Sequence, residues 1–265
     1  MRRPPARPHP RHPSVSVVIP ARDDAAALER CLTLLARQSV AAYEVIVVDN
    51  ASTDETAEVA RRHGARVVHE ATPGIPQAAA TGYDAARGDV IARLDADSRP
   101  GRTWVSRIGR RMADPRLDAA TGTGRFYDLP PLLGRPVALV YLGAYYALCH
   151  LALGHTALWG SSMALRRSAW ERVRDRVHRD DAELHDDLDL AFVLGPHARI
   201  RLDPSLDVGV SARSLHGLAQ LRRRLDRAVR TLRVNWADQP PWLRWRDRFD
   251  RDRATSRSSS TRTAA

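Results

Sequence analysis

The strongest constraint on this chain is a repeated alternation of short apolar runs with stretches of helical periodicity. Residues 14–19 stop at Pro20 and residues 44–48 stop at Asp49, and both runs read as strands buried on two faces, as in a parallel sheet. Between them Leu28, Cys31, Leu32 and Leu35 recur at helical spacing, so 25–37 is a helix and the three pieces form one βαβ unit. Ser52 and Glu55 then read as a capping box opening a helix over 53–63. A third strand at 66–69, a helix at 75–87 and a fourth strand at 89–94 follow, the last running into Asp95-Ala96-Asp97. The order β-α-β-α-β-α-β predicts an α/β fold, Rossmann-like, with a mostly parallel sheet flanked by helices. Ligands of such sheets gather beyond the carboxyl ends of the strands. Asp23, Asp24, Asp49, Asp95 and Asp97 all fall there.

Those acids suggest chemistry. On an extended chain Asp95 and Asp97 share one side, and two carboxylates suit a hard divalent cation, Mg²⁺ or Mn²⁺, shared with phosphate oxygens. An isolated pair of this kind is more often a solvated acidic turn; the strand before it, the βαβ context and Asp49 shift the reading to metal. With Ser52 assigned to the cap, Asp49 is left to accept a hydrogen bond from a nucleobase imide or a ribose hydroxyl.

Beyond residue 98 the periodicity predicts a helix over 102–113, a strand over 119–126, a strand over 161–166 after Trp159-Gly160, and a helix over 168–173. Leu184, Leu188, Ala191 and Phe192 line one face of a helix over 183–194 that has Asp186 and Asp187 near its start, and two short strands are expected near 198–211. Residues 137–153 form the longest apolar run, at the lower limit for crossing a bilayer. Three placements are open for it: a buried or partner-facing helix, a membrane-surface helix, or a span that would separate Asp95 from everything later in the chain.

The formal charge of +11 resembles that of a nucleic-acid binder until its distribution is examined. Residues 1–13 carry +4 and residues 213–265 carry +9, whereas 14–212 carries −2. A nucleic-acid partner is therefore not expected. Every basic residue other than histidine is Arg, which coding bias explains. With no Lys the chain cannot hold a Walker P-loop, and a sugar-phosphate nucleotidyltransferase would lack its usual phosphate-gripping residue. Cys31 and Cys149 have neither disulfide-framework nor zinc spacing, and residues 1–13 lack an apolar signal core, so the expected setting is cytoplasmic. Leu218, Leu221, Leu225, Val229, Leu232 and Trp236 make an apolar helical stripe backed by arginines, which either packs on the core or, with Trp242, Trp245 and Phe249, attaches peripherally to the inner face of an anionic membrane.

Taken in order, 18–24, 47–54, 88–97, 160–167 and 186–190 resemble the motifs of family 2 glycosyltransferases with the GT-A fold, over about residues 14 to 190. The resemblance implies an inverting transferase that moves a sugar from a nucleotide-diphosphate donor, UDP on family frequency, to an acceptor hydroxyl such as one on a lipid-linked or cell-envelope glycan. It implies that Pro20, Ala21, Arg22, Asp24, Asp49, Ser52, Asp95 and Ala96 hold the nucleotide. It implies also that Asp97, with Asp95 beside it, ligates the metal, that Gly160, Ser161 and Asp186 shape the acceptor side, and that Asp187 is the catalytic base. His216 is the candidate for a late metal-binding histidine, weighed against an ordinary surface or core histidine. The chain departs from the family at Ala79-Ala80, where an Arg-Asn pair is common, at Asp186, where Glu is usual, and in lacking the Trp motif of processive synthases. A nucleotide-sugar-binding module without catalysis and a haloacid-dehalogenase-type phosphatase, suggested by residues 94–98, are the rival readings. The expected organisation is a disordered leader at 1–13, a catalytic domain at 14–212 with a nucleotide half (14–98) and an acceptor half (99–212), a basic amphipathic helical extension at 213–250, and a disordered tail at 251–265.

Overall fold

A computed structural model describes residues 12–215 and 217–262. The leader's residues 1–11 and His216 lie outside the described residues. The first half runs β1 (Val15–Ala21), α1 (Ala25–Ala36), β2 (Glu44–Asp49), α2 (Thr56–Arg62), β3 (Arg66–His69), α3 (Ile75–Ala85) and β4 (Val90–Arg93). The second half adds β5 (Arg99–Pro100), α4 (Trp104–Arg111), β6 (Ala119–Phe126), α5 (Pro131–Leu153), β7 (Met163–Arg166), α6 (Arg167–Val173), α7 (Asp186–Leu194), β8 (Ile200–Val210), α8 (Leu218–Asp238) and α9 (Pro241–Arg262).

Side-chain alternation along β1 decides the layering. Val17 and Ile19 join Leu28 and Cys31 of α1 and Trp104 and Ile108 of α4 on one face of the sheet. Val18 joins Ala79 and Tyr83 of α3 and Leu188 and Phe192 of α7 on the other. Helix α3 lies so close that a Cβ at Gly82 would meet Val18 Cγ1 at 2.4 Å. The eight strands form one sheet in the order β3-β2-β1-β4-β7-β6-β8-β5. β1 to β4 are parallel, as the βαβ repeat predicts; β7 enters antiparallel between β4 and β6. Since β6 precedes α5 and β7 follows it, and the two antiparallel strands pair at Thr121 and Met163, the chain leaves for α5 and returns from it between two adjacent central strands, at the same end of the sheet. This excludes the span for α5 within this fold.

Several expectations need correction. The strands foreseen near 198–211 are one strand, β8, parallel to β6, with its register broken between Thr121 and Thr123. Local sequence shows that irregularity as a gap, because the extra residues belong to a pairing partner far away. Ser52 does not cap α2, which starts at Thr56, and Asp54 Oδ1 accepts the Thr56 N–H at 2.9 Å instead. The stripe on α8 divides: Leu232 and Trp236 pack against the core, while Leu221, Leu225 and Val229 are exposed. Helix α9 continues to Arg262, through the stretch whose composition marks it as disordered. Once its first turns are docked on α5, each further residue adds a hydrogen bond without a new nucleation cost.

Candidate active site

The carboxyl ends of β1, β2 and β4 meet on one rim, and their loops are tied to one another by side chains. Asp23 has φ +49° and Ala51 φ +54°, a left-handed backbone that costs a non-glycine residue energy and here turns both loops sharply. Asp23 accepts the Thr53 N–H at 2.7 Å, and its own N–H donates to Ser52 Oγ at 3.2 Å. The Thr53 amide holds the Asp23 carboxyl below its ordinary range. Ser52 therefore spends its hydroxyl between loops and not on a helix end. Its N–H donates to Asp49 Oδ1 at 3.2 Å, while Asp49 Oδ2 lies 3.0 Å from His69 Nδ1. Asp49 is thus held in place and not free of partners as expected, although each carboxylate oxygen still has a second lone pair to offer. Pro20 and Ala21 end β1, and the Ala21 carbonyl accepts the Asn50 N–H at 2.9 Å. Arg22 is exposed beside Asp23.

Asp95, Ala96 and Asp97 are not an extended segment. Ser98 N–H donates to the Asp95 carbonyl at 3.0 Å, closing a turn. The turn buries Ala96 and leaves the two carboxylates with different partners. Asp95 accepts Arg93 Nη2 at 3.1 Å on one oxygen and the Ser161 hydroxyl on the other. Asp97 is largely buried and lies 2.9 Å from Arg213 Nη2, which also reaches Asp24 Oδ2 at 3.3 Å. Burial, reinforced by Asp95 and opposed by Arg213, pushes the Asp97 carboxyl up to about 6. One exposed guanidinium thus spans two carboxylates, Asp24 and Asp97, and among the described residues no group of three His, Cys, Asp or Glu side chains is placed to hold a metal ion, so a divalent cation here would take one or two protein carboxylates, Asp97 and Asp95, and share the rest of its shell with phosphate oxygens.

One dipeptide ties the Asp95 turn to the start of α7. Gly160 N–H donates to Asp187 Oδ2 at 2.7 Å, and its neighbour Ser161 holds Asp95. The turn and the acidic pair opening α7 are therefore separated by a single peptide. Asp186 departs from its expected role: it is largely buried and pairs with Arg93 Nη1 at 2.6 Å. Burial pushes its carboxyl up, Asp187 and Asp95 add to this, and Arg93 opposes it. Asp189, three residues on, is structural, accepting His178 N–H at 2.9 Å and Asn235 Nδ2 of α8 at 2.8 Å.

Arg93 is the residue that sequence reasoning passed over. It is 4% exposed and bridges Asp95 to Asp186, and a Cβ at Gly160 would meet its Nη1 at 2.2 Å. The signal was present as a charge inside an apolar buried strand, which requires a partner. Arg213 was likewise missed in favour of His216, which lies outside the described residues.

A parallel half ending in clustered carboxylates, joined to a second half that supplies an acidic helix start, is the GT-A architecture of nucleotide-sugar glycosyltransferases. The chain belongs to glycosyl transferase family 2, whose family model matches residues 16–174, more than half of its length. Glycosyltransferase AglE of Haloferax volcanii is 31% identical over 122 residues, covering 43% of this chain and 40% of that protein. An uncharacterized glycosyltransferase of Mycobacterium bovis is 43% identical over 112 residues, covering 42% and 49%. The matched stretch thus spans less than half the length of either relative. Among solved structures, a mannosyltransferase of Pyrobaculum calidifontis in complex with GDP-Man and Mn²⁺ superposes with TM-score 0.69 at 24% identity, covering 92% of this chain and 71% of that one. Glucosyl-3-phosphoglycerate synthase of Mycobacterium tuberculosis, in complex with Mn²⁺, UDP-Glc and phosphoglyceric acid, gives 0.59 at 21%, covering 84% and 79%. Family membership removes the phosphatase reading, which also places its acidic pair after the first strand and not the fourth.

Proposed function

We propose that the chain is a metal-dependent, inverting glycosyltransferase that moves a sugar from a nucleoside-diphosphate donor, UDP-linked by family frequency, to an acceptor hydroxyl. The observation that carries the reading is the dipeptide Gly160-Ser161, which holds Asp187 with one residue and Asp95 with the next. A donor whose phosphates lay at Asp95 and Asp97 would turn its anomeric carbon toward Asp187, and a single displacement between those two sides would invert that carbon.

In this reading the loops bearing Asp24, Asp49 and Ser52 orient the nucleoside. A divalent cation held by Asp97, with Asp95 beside it, would neutralise charge on the departing diphosphate. Asp187 takes the acceptor's proton as the new bond forms, on a remaining lone pair of a carboxylate whose two oxygens are held by the Gly160 and Leu188 N–H groups. Asp186 serves as the counter-ion of Arg93, so the shorter acid where Glu is usual is compatible with catalysis.

Asp187→Asn should lower turnover by ~10²–10⁴-fold with donor affinity nearly unchanged. Asp97→Ala should abolish the dependence of nucleoside-diphosphate binding on Mn²⁺, read as thermal stabilisation of about 2.7 kcal/mol at 100 times the dissociation constant. Wild-type turnover in Asp187→Asn would remove the base assignment. Normal donor binding with no transfer or donor hydrolysis by the wild type would leave the non-catalytic binding module.

A further inference from the structure

Helix α5 has two unlike faces. Its inner face carries Tyr145 and Tyr146, whose hydroxyls donate to the carbonyls of Leu158 at 2.6 Å and Gly122 at 2.7 Å, and whose own titration is pushed up by burial and by the charge of Asp187. Its outer face carries Leu132, Val140, Leu148 and Leu151, exposed at 88%, 75%, 67% and 64%. Between Arg135 and His150 the helix has no charged residue, and its three tyrosines all hydrogen-bond to protein groups: Tyr141 OH accepts Arg224 Nη1 at 2.9 Å. From Leu132 to Leu151 the apolar face is ~29 Å long at the helical rise. A soluble monomer rarely exposes a continuous strip of this size.

The two C-terminal helices flank this strip. Trp236 of α8 donates to the Ala152 carbonyl at 3.2 Å, and Trp245 of α9 donates to the Leu151 carbonyl at 2.9 Å. They carry exposed apolar groups of their own, Leu225 on α8 and Trp242 and Phe249 on α9. They also bring most of the positive charge, since residues 213–265 carry +9 while residues 14–212 carry −2.

We infer that α5, α8 and α9 form a docking surface for an anionic lipid bilayer, on which α5 lies parallel to the membrane with its outer face in the headgroup boundary. Charge selects this occupant. Two copies meeting through the strip would bring two +9 extensions together, whereas an anionic surface neutralises them, and arginines backing an apolar, Trp-containing face are the composition of an interfacial helix. Return of the chain to the sheet at β7 keeps the helix on the surface and prevents insertion across it. One consequence rests on the proposed transferase reading: the base lies about one helix diameter, ~10 Å, from the lipid, so an acceptor carried on a lipid headgroup reaches it from the membrane plane.

The test is co-sedimentation of the full chain with phosphatidylcholine vesicles, with and without phosphatidylglycerol, at low and high salt. The wild type should pellet with the anionic vesicles at low salt and be released by salt. The double variant Val140→Glu/Leu148→Glu changes two exposed positions, so it should melt with the wild type and retain its Mn²⁺-dependent affinity for UDP, yet lose at least about tenfold in vesicle binding. A wild type that stays in the supernatant overturns the proposal, as does a variant that pellets as well as the wild type. A wild-type dimer that the variant converts to monomer, with no vesicle binding by either, assigns the strip to a second copy and overturns it too. Vesicle binding lost in the variant, in a protein that binds no nucleoside diphosphate, supports the docking surface while removing the transferase reading.

Discussion

Arg93 and Arg213 each bridge two carboxylates, but one does so inside the protein and the other at its surface. Arg93 is 4% exposed between Asp95 and Asp186; Arg213 holds Asp24 and Asp97 with a side chain 63% exposed. A buried guanidinium has no water to replace a lost partner, so its pairs are a fixed part of the fold. An exposed one exchanges with water, or with another cation, at little cost. The site therefore contains a permanent bridge between the Asp95 turn and the start of α7 and, beside Asp97, a cation that can be displaced.

Removing the buried bridge should have the largest effect. Arg93→Leu leaves Asp186 buried without its cation and should cost about 3–5 kcal/mol in denaturant unfolding, and adding Asp186→Leu should recover most of the loss. A loss below about 1 kcal/mol would make the two arginines alike. The next effect comes from Asp97. Its folded value of about 6 lies above its ordinary 3.8, so the neutral form favours folding, and that contribution is fully present below about 3.8 and lost as pH rises through about 6. Asp97→Asn should consequently stabilise the metal-free protein at pH 7 by up to about 3 kcal/mol while removing metal binding. In the wild type, Mn²⁺ affinity measured by calorimetry should fall by about tenfold per pH unit below 6, because the ligand must be deprotonated. A flat profile would show that Asp97 is not the ligand. The smallest effect is expected at the surface: Arg213→Ala should leave stability within about 0.5 kcal/mol and should not weaken Mn²⁺ binding. A loss comparable to that of Arg93→Leu would erase the distinction.

How much of this was legible depended on whether the signal was local. The strands of the first half and β6 followed from apolar runs, and the carboxyl-end rim followed from their order. Ser52 read as a helix cap because its spacing to Glu55 is a local pattern, but its hydroxyl is used by Asp23 in another loop, 29 residues away. Asp95 and Asp97 read as neighbours on an extended chain, whereas the turn that separates their roles is set by partners from β4 and from the loop before β7. Asp187 was found through its motif, but the group that fixes it, the Gly160 amide, has no side-chain signature. Asp186 read as part of the acceptor wall, and its true partner lies 93 residues earlier.

The cradle that Gly160 leaves for Arg93 has a consequence for the history of the chain. Any side chain at 160 would occupy space already taken by the guanidinium, and any shorter residue at 93 would leave Asp186 without a counter-ion. Positions 93, 160 and 186 should therefore drift as one unit of inheritance. Among descendants of this fold, a lineage that keeps the arginine should keep the glycine and the acid, and one that abandons it should be released from both.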